Sequence, residues 1–207
     1  MFPEAPTPPI RSKDHAVKHA IGILQHFHPV PQEVERFMLE RSRLLRVKRG
    51  EVLLRAGETC GHYFFIIRGA LRGYSESEHA EITTWITLEN EMATSIHGMH
   101  ERRPMLESIQ AIEDSVLVAL AVDDLEELYS RVPEFNLIAR KILQVYYGHA
   151  EIRALLARIS HAENKYRFFL EHFPQLSNRI PLKTIASFLG IRYETLSRIR
   201  KKQLQKH

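Results

Sequence analysis

The sequence predicts an α+β chain in three parts: an N-terminal β-roll of jelly-roll type, a long dimerisation helix and a C-terminal helix-turn-helix. Three observations predict it. Short β-rich segments alternate with turn residues from Ser42 to about Val122, the texture of a rolled all-β domain. Apolar residues then recur at alternating steps of three and four from Phe135 to Ile159, which is the seam of a coiled coil. The last 27 residues, PLKTIASFLGIRYETLSRIRKKQLQKH, read as two short amphipathic helices meeting at a glycine, the second densely basic.

The elements follow in order. Met1–Pro9 carries four prolines, so residues 1–12 are expected to form a flexible tail. Residues near 13–28 and 31–40 read as helices, kept apart by Pro29 and Pro31. The strand-like runs are LLRVK, EVLLR, HYFFIIR, ALRGY, ITTWITL, SIQAI and VLVALAV, punctuated by Arg49-Gly50, Ala56-Gly57-Glu58 and Gly69. DDLEELYS, residues 123–130, reads as a short helix, and Pro133 opens a long one to about Ser160. On that helix Ile138, Ile142, Val145, His149, Ile152, Leu156 and Ile159 form the stripe expected to meet a second copy of the chain. A second stripe of Leu143, Tyr146, Ala150 and Ala157 is expected to pack on the β domain. The domains are therefore drawn at 13–131, 132–160 and 161–207.

The C-terminal motif is the most specific feature. Leu182, Ile185, Ala186 and Leu189 share one helical face. Gly190 follows where a sharp turn needs positive φ. Leu196 and Ile199 supply the buried face of the second helix. Its other face carries Tyr193, Glu194, Ser197, Arg198 and Lys201, which point away from the core toward where a major groove would lie. An ordinary helical hairpin with a solvated face would not need the whole pattern at once. Charge agrees: residues 181–207 hold seven of the 29 Lys/Arg against one acid, Glu194, leaving 22 basic and 24 acidic residues elsewhere. A near-neutral body with a cationic end points to a polyanion at that end.

Other classes are excluded. Cys60 is the one cysteine, so the chain can form no internal disulfide and no all-cysteine metal site. The N-terminus lacks a signal-peptide pattern, and the longest apolar run, Val116–Val122, is too short to span a bilayer. A soluble, cytoplasmic protein with no membrane partner is expected. His97-Gly-Met-His100 and His26-Phe-His28 lack a carboxylate or cysteine at ligand spacing, so no metal and no cofactor are expected. No Walker loop, nucleophile elbow or nucleophile–base pair is present, which argues against an enzyme.

The order of roll, seam helix and helix-turn-helix resembles the Crp/Fnr family of bacterial transcription regulators. The residues that carry the resemblance are Lys48-Arg49-Gly50-Glu51-Val52-Leu53-Leu54, Ala56-Gly57-Glu58, the run Phe64 to Arg72 and the run Tyr193 to Lys202. The resemblance implies a cyclic-nucleotide-binding-like roll and a homodimer on double-stranded DNA with an inverted-repeat site. It implies that Glu194, Ser197 and Arg198, with Tyr193, read base edges of a TTGA-like half-site. Lys183, Thr195, Arg200, Lys201 and Lys202 would contact phosphates. RNA polymerase and a small-molecule effector of unidentified chemistry are the further partners it admits.

Two departures matter. Asn90-Glu91 stands where the family's phosphate cassette has Gly-Glu, and Met105 and Leu106 stand where it has Arg-Ser. A cyclic phosphate needs a guanidinium fork and hydroxyl donors, which those two lack. Glu91, Arg102, Arg103, Met105 and Leu106 thus outline a degenerate effector pocket, and no response to cyclic AMP is expected. The several cysteines of an Fnr-type cluster are also missing. Second, the chain has only nine residues after Arg198, too few for the β wing that many members add. The competing reading is a ligand-binding regulatory roll whose basic end meets RNA, membrane phosphates or an acidic protein. Glu194 separates the two: amid seven cations it weakens simple phosphate attraction yet can specify a base.

Overall fold

The computed structural model describes residues 10–77, 80–94 and 103–204. Residues 1–9 of the expected tail, His97, His100 and Arg102 lie outside them. The described chain divides into two compact units. One holds the residues through Gly73 and Ile86–Tyr146; the other holds Tyr74–Trp85 and the chain from Tyr147 on.

In the first unit, α1 (Lys13–Phe27) starts at Ser12, whose hydroxyl accepts the His15 N–H at 3.2 Å. After Pro29 and Pro31 comes α2 (Gln32–Arg41). The strands of the chain are β1 (Arg43–Val47), β2 (Val52–Leu54), β3 (His62–Arg68), β4 (Leu71–Glu76), β5 (Glu81–Thr87), β6 (Met92–Ala93), β7 (Ser108–Ala111) and β8 (Ser115–Ala121), with the end of β4 from Tyr74 and β5 as far as Trp85 falling in the second unit. They form two four-stranded sheets of order β1-β8-β3-β6 and β2-β7-β4-β5. β8 lies between β1 and β3, antiparallel to both, with Leu44↔Val118↔Phe65 and Leu45↔Leu117↔Ile66 in register. Its residues Ser115 to Leu120 are all buried, so the strand reads as a continuous apolar run rather than an alternation. α3 (Val122–Arg131) follows directly, and α4 (Pro133–Arg158) begins at Pro133.

The largest core lies on one face of the first sheet. Phe65, Ile67, Val118 and Leu120 meet Val17, Ile21 and Leu24 of α1, Phe37 and Met38 of α2, and Leu125 and Leu128 of α3. Phe135, Ile138 and Ile142 of α4 belong to the same core, with Val145 and Tyr146 packed against it. The Tyr146 hydroxyl donates to the Met92 carbonyl at 2.8 Å and accepts its N–H at 2.6 Å.

This placement corrects the assignment of the two stripes. Ile138 and Ile142, expected to meet a partner copy, are 0% and 5% exposed against their own roll. Val145 lies beside them, His149, Ile152 and Ile159 are half-buried, and Leu156 is buried. The exposed large apolar residues of α4 are instead Leu137 at 39%, Leu143 at 55%, Tyr147 at 69% and Leu155 at 57%. The reason is that both stripes repeat in steps of three and four. Periodicity shows that a helix has two apolar faces, but not which one its own domain takes. The roll's core likewise runs past residue 131 into the long helix.

One close approach fixes the β3–β4 turn. Gly69 has φ +101°, and a Cβ there would lie 2.7 Å from the Ser115 Cα. Its N–H is taken at 2.7 Å by a Glu89 carboxylate oxygen.

The second unit contains α5 (Ala162–His172), the short α6 (Pro174–Ser177), α7 (Leu182–Leu189) and α8 (Tyr193–Leu204). Its core joins Tyr166, Phe169, Leu176, Ile180, Ile185, Ala186, Leu189, Leu196 and Ile199, all buried. Phe188 closes it edge-on against Phe169 and Phe173, with ring centroids 6.2 and 5.6 Å away.

Candidate nucleic-acid interface

The site begins at the turn between α7 and α8. Gly190 is left-handed, φ 62° and ψ 37°. Its N–H donates to the Ser187 carbonyl and the Ile191 N–H donates to the Ala186 carbonyl, both at 3.0 Å. That pair of bonds is a Schellman closure, which only a residue tolerant of the left-handed region completes cheaply. Ile191 folds back toward Ala186, a small residue, so α7 and α8 approach closely there. α7 is also held along its side. The Ser187 hydroxyl donates to the Glu81 carbonyl and accepts the Thr83 N–H, both at 2.9 Å.

The buried pair Leu196 and Ile199 sets the rotation of α8 about its axis. Counting 100° per residue from Leu196, Glu194, Arg198 and Lys201 fall on the opposite side. All three are exposed, and Tyr193 projects at the helix start. Ser197 and Thr195 flank the row and are half-buried. Among the described residues no ion pair engages Glu194, Arg198 or Lys201. Glu194 and Arg198 are one turn apart, an acceptor and a planar donor fork side by side. Such a pair suits the edges of base pairs, cytosine amine and guanine O6/N7 respectively. Lys183 on the first turn of α7 and Arg192 in the turn are also exposed.

Two residues assigned to phosphates have partners within the chain. Arg200 is four residues beyond buried Leu196 and so lies over the core edge. It is half-buried and donates to the Asn178 side-chain oxygen at 3.1 Å. Lys202 pairs with Glu163 of α5 at 3.2 Å, both side chains more than 60% exposed. An exposed pair of this kind is weak, so Lys202 can exchange it for another anion, whereas Arg200 is engaged in holding α8 to the segment after α6. Sequence reasoning missed Arg192, Ser187 and Lys165, whose ammonium donates to the Leu189 carbonyl at 2.9 Å. Arg192 was legible, since it is a cation immediately before α8. Lys165 and Ser187 act on residues 24 and more than 100 positions away, and no local pattern signals them.

The described residues of the degenerate pocket, Glu91, Arg103, Met105 and Leu106, have different settings. Asn90, left-handed at φ 68°, and Glu91 form the turn between β5 and β6. The Asn90 N–H donates to the Ile66 carbonyl, and a Glu91 carboxylate oxygen accepts the Leu88 N–H at 3.0 Å. Met105 is buried and bonds through its backbone to Gly57 and Glu58, both at 2.9 Å. Leu106 is 72% exposed, and Arg103 is exposed. Among the described residues no three His, Cys, Asp or Glu side chains are grouped to hold a metal, and no helix is long and apolar enough to cross a membrane. On α4, burial and the neighbouring Arg153 hold the His149 imidazole below its ordinary pKa.

Residues 44–132 match the cyclic nucleotide-binding domain family. The chain is 27% identical over 175 residues to the transcriptional activator protein FnrA of Stutzerimonas stutzeri, covering 78% of this chain and 70% of that one. Among solved structures it resembles FixK2 from Bradyrhizobium japonicum, with a TM-score of 0.66 and 20% identity over 80% of this chain and 85% of that one. It also resembles the c-di-GMP-responsive global regulator CLP of Xanthomonas campestris, with a TM-score of 0.65 and 18% identity over 84% and 92% of the two chains. The structural likenesses establish the fold.

Proposed function

We propose that this chain is a transcription regulator of the Crp/Fnr family and acts as a homodimer that reads an inverted-repeat DNA site through α8. The observation that carries the reading is the row of Glu194, Arg198 and Lys201. It is exposed, free of ion pairs among the described residues and presented by a Schellman-closed turn. Glu194 and Arg198, with Ser197 and Tyr193, are assigned to base edges. Lys183, Lys201 and Lys202, with Thr195, are assigned to phosphates, and Arg192 joins them. Arg200 is reassigned from phosphate contact to support of α8.

The test separates the two roles on one helix. Affinities are measured on a preferred duplex and on a scrambled duplex of the same length, at several salt concentrations. Arg198→Ala should cut the preference by about 10- to 100-fold, the 1–3 kcal/mol of a bidentate base contact, with little loss on scrambled DNA. Lys201→Ala should weaken both duplexes equally and lower the salt slope by about one. If Arg198→Ala lowers both affinities in parallel, α8 is an electrostatic anchor and the competing reading gains.

The roll is assigned a sensory or structural role without cyclic AMP. Met105 is buried and Leu106 faces solvent, so neither supplies the fork and hydroxyl that a cyclic phosphate needs in place of water. Titration calorimetry with cyclic AMP and cyclic GMP should show no saturable heat at micromolar ligand. A one-to-one isotherm per subunit would overturn the assignment.

The dimer is assigned to the exposed stripe of α4. Leu143, Tyr147, Ala150 and Ala154 follow steps of four, three and four, and all four are exposed. The two alanines allow close approach of a second helix, and the large neighbours supply the apolar area.

A further inference from the structure

In the last turn of α7 two carbonyls are satisfied by the turn itself, Ser187 by Gly190 and Ala186 by Ile191. The Leu189 carbonyl has no successor in the helix, because the chain departs at Gly190. It accepts instead from the Lys165 ammonium near the start of α5, at 2.9 Å. Lys165 is half-buried, and its nitrogen lies 3.8 Å from where a Cβ on Gly190 would sit. It therefore rests against the turn as well as capping the helix. A cation there also meets the negative end of the α7 dipole. The first unit uses the same device twice. Lys13 donates to the Leu39 carbonyl near the end of α2, and Lys141 of α4 donates to the Phe27 carbonyl at the end of α1, both at 2.6 Å.

We propose that Lys165 is a positioning residue for DNA reading: from α5 it fixes the Gly190–Arg192 turn and so sets the angle at which α8 presents Glu194 and Arg198. This rests on the reading of α8 as a base-reading helix. A bidentate contact tolerates an error of only about half an ångström. Arg198 lies eight residues along the chain from Gly190, so a small rotation of the turn is magnified at its guanidinium. Lys165 has its own acceptor in Leu189 and is not assigned to DNA.

The test uses the full chain as wild type, Lys165→Met and Lys165→Arg. Methionine keeps the apolar stem and removes the charge; arginine restores a cation of similar reach. If the methionine variant does not fold, Lys165→Gln takes its place. Amide hydrogen exchange at Gly190, Ile191 and Arg192 is measured without DNA. Affinity is measured on a duplex selected by the wild-type chain and on a scrambled duplex, across salt concentrations. Lys165→Met should speed exchange at the turn and lower the preference about tenfold, the scale of one charge-assisted hydrogen bond, with the salt slope unchanged. Lys165→Arg should restore both. Unchanged exchange would overturn the capping role. Faster exchange with an unchanged preference would overturn the positioning role. A parallel loss on both duplexes with a slope lower by about one would make Lys165 a phosphate contact and overturn the proposal. A wild-type chain that does not prefer its selected duplex would sink the base-reading assignment of α8 and the role of Lys165 in it, whatever the exchange shows.

Discussion

Glutamate at both Leu143 and Tyr147 should leave the folded chain monomeric at micromolar concentration. These side chains are 55% and 69% exposed on the chain alone, so their replacement leaves the roll's core untouched. In a parallel dimer each would be covered by the partner helix. Burying one such side chain is worth roughly 1.5–3 kcal/mol, and the two-fold axis counts each position twice. Together with the repulsion of four facing carboxylates, association should weaken by about a thousandfold or more. Sedimentation equilibrium reads the mass, and circular dichroism checks that the fold survives. Ile142→Glu is the contrast. Ile142 is 5% exposed in the core of its own chain, so a charge there should unfold the roll rather than split a dimer cleanly. If the double variant sediments as the wild type does, the exposed stripe is not the interface.

Gly69→Ala should be the most destabilising conservative change in the chain. A methyl at Gly69 would overlap the Ser115 hydroxyl, and it would lie 2.7 Å from the Ser115 Cα and 2.8 Å from its Cβ. A β-strand backbone cannot retreat as a flexible side chain can. The φ of +101° adds strain for any L side chain. Strain and overpacking together suggest a loss of about 3–5 kcal/mol, or a fall of roughly 10 °C or more in Tm for a chain of this size. Gly22→Ala is the control. Gly22 lies within α1, and a Cβ there would have nothing within 4 Å. That change should raise stability by about 0.5–1 kcal/mol. Equal melting temperatures for the two variants would show that the turn at Gly69 yields.

The parts of the fold that could be read directly from the sequence are those set by short-range order. The helix-turn-helix needed only Ala186, Gly190, Leu196 and Ile199 at their spacing, because a turn closed by a left-handed residue has few solutions. All the strands but β6 were legible for the same reason, each a short apolar run ended by a turn residue, whereas β6 is only Met92–Ala93 and too short to leave a pattern. What stayed hidden depends on partners distant in sequence. The two stripes of α4 have the same period, and only the position of the roll's core showed that Ile138 and Ile142 face inward while Leu143 and Tyr147 face out. Arg200 looked like one more cation, yet its helical phase beside Leu196 turns it to Asn178. Glu91 looked like a relic of a ligand site, yet its carboxylate closes its own turn on Leu88.

The central claim is that α8 reads sequence as part of a two-fold dimer. Selection of duplexes from a random-sequence pool by the full wild-type chain tests it most directly. The expected result is enrichment of an inverted repeat whose half-sites lie about 34 Å apart, one turn of duplex, with a guanine–cytosine pair in each half-site whose preference is lost in Arg198→Ala. Recovery of duplexes with no sequence enriched over the starting pool, at a salt concentration where the chain still binds, would contradict it.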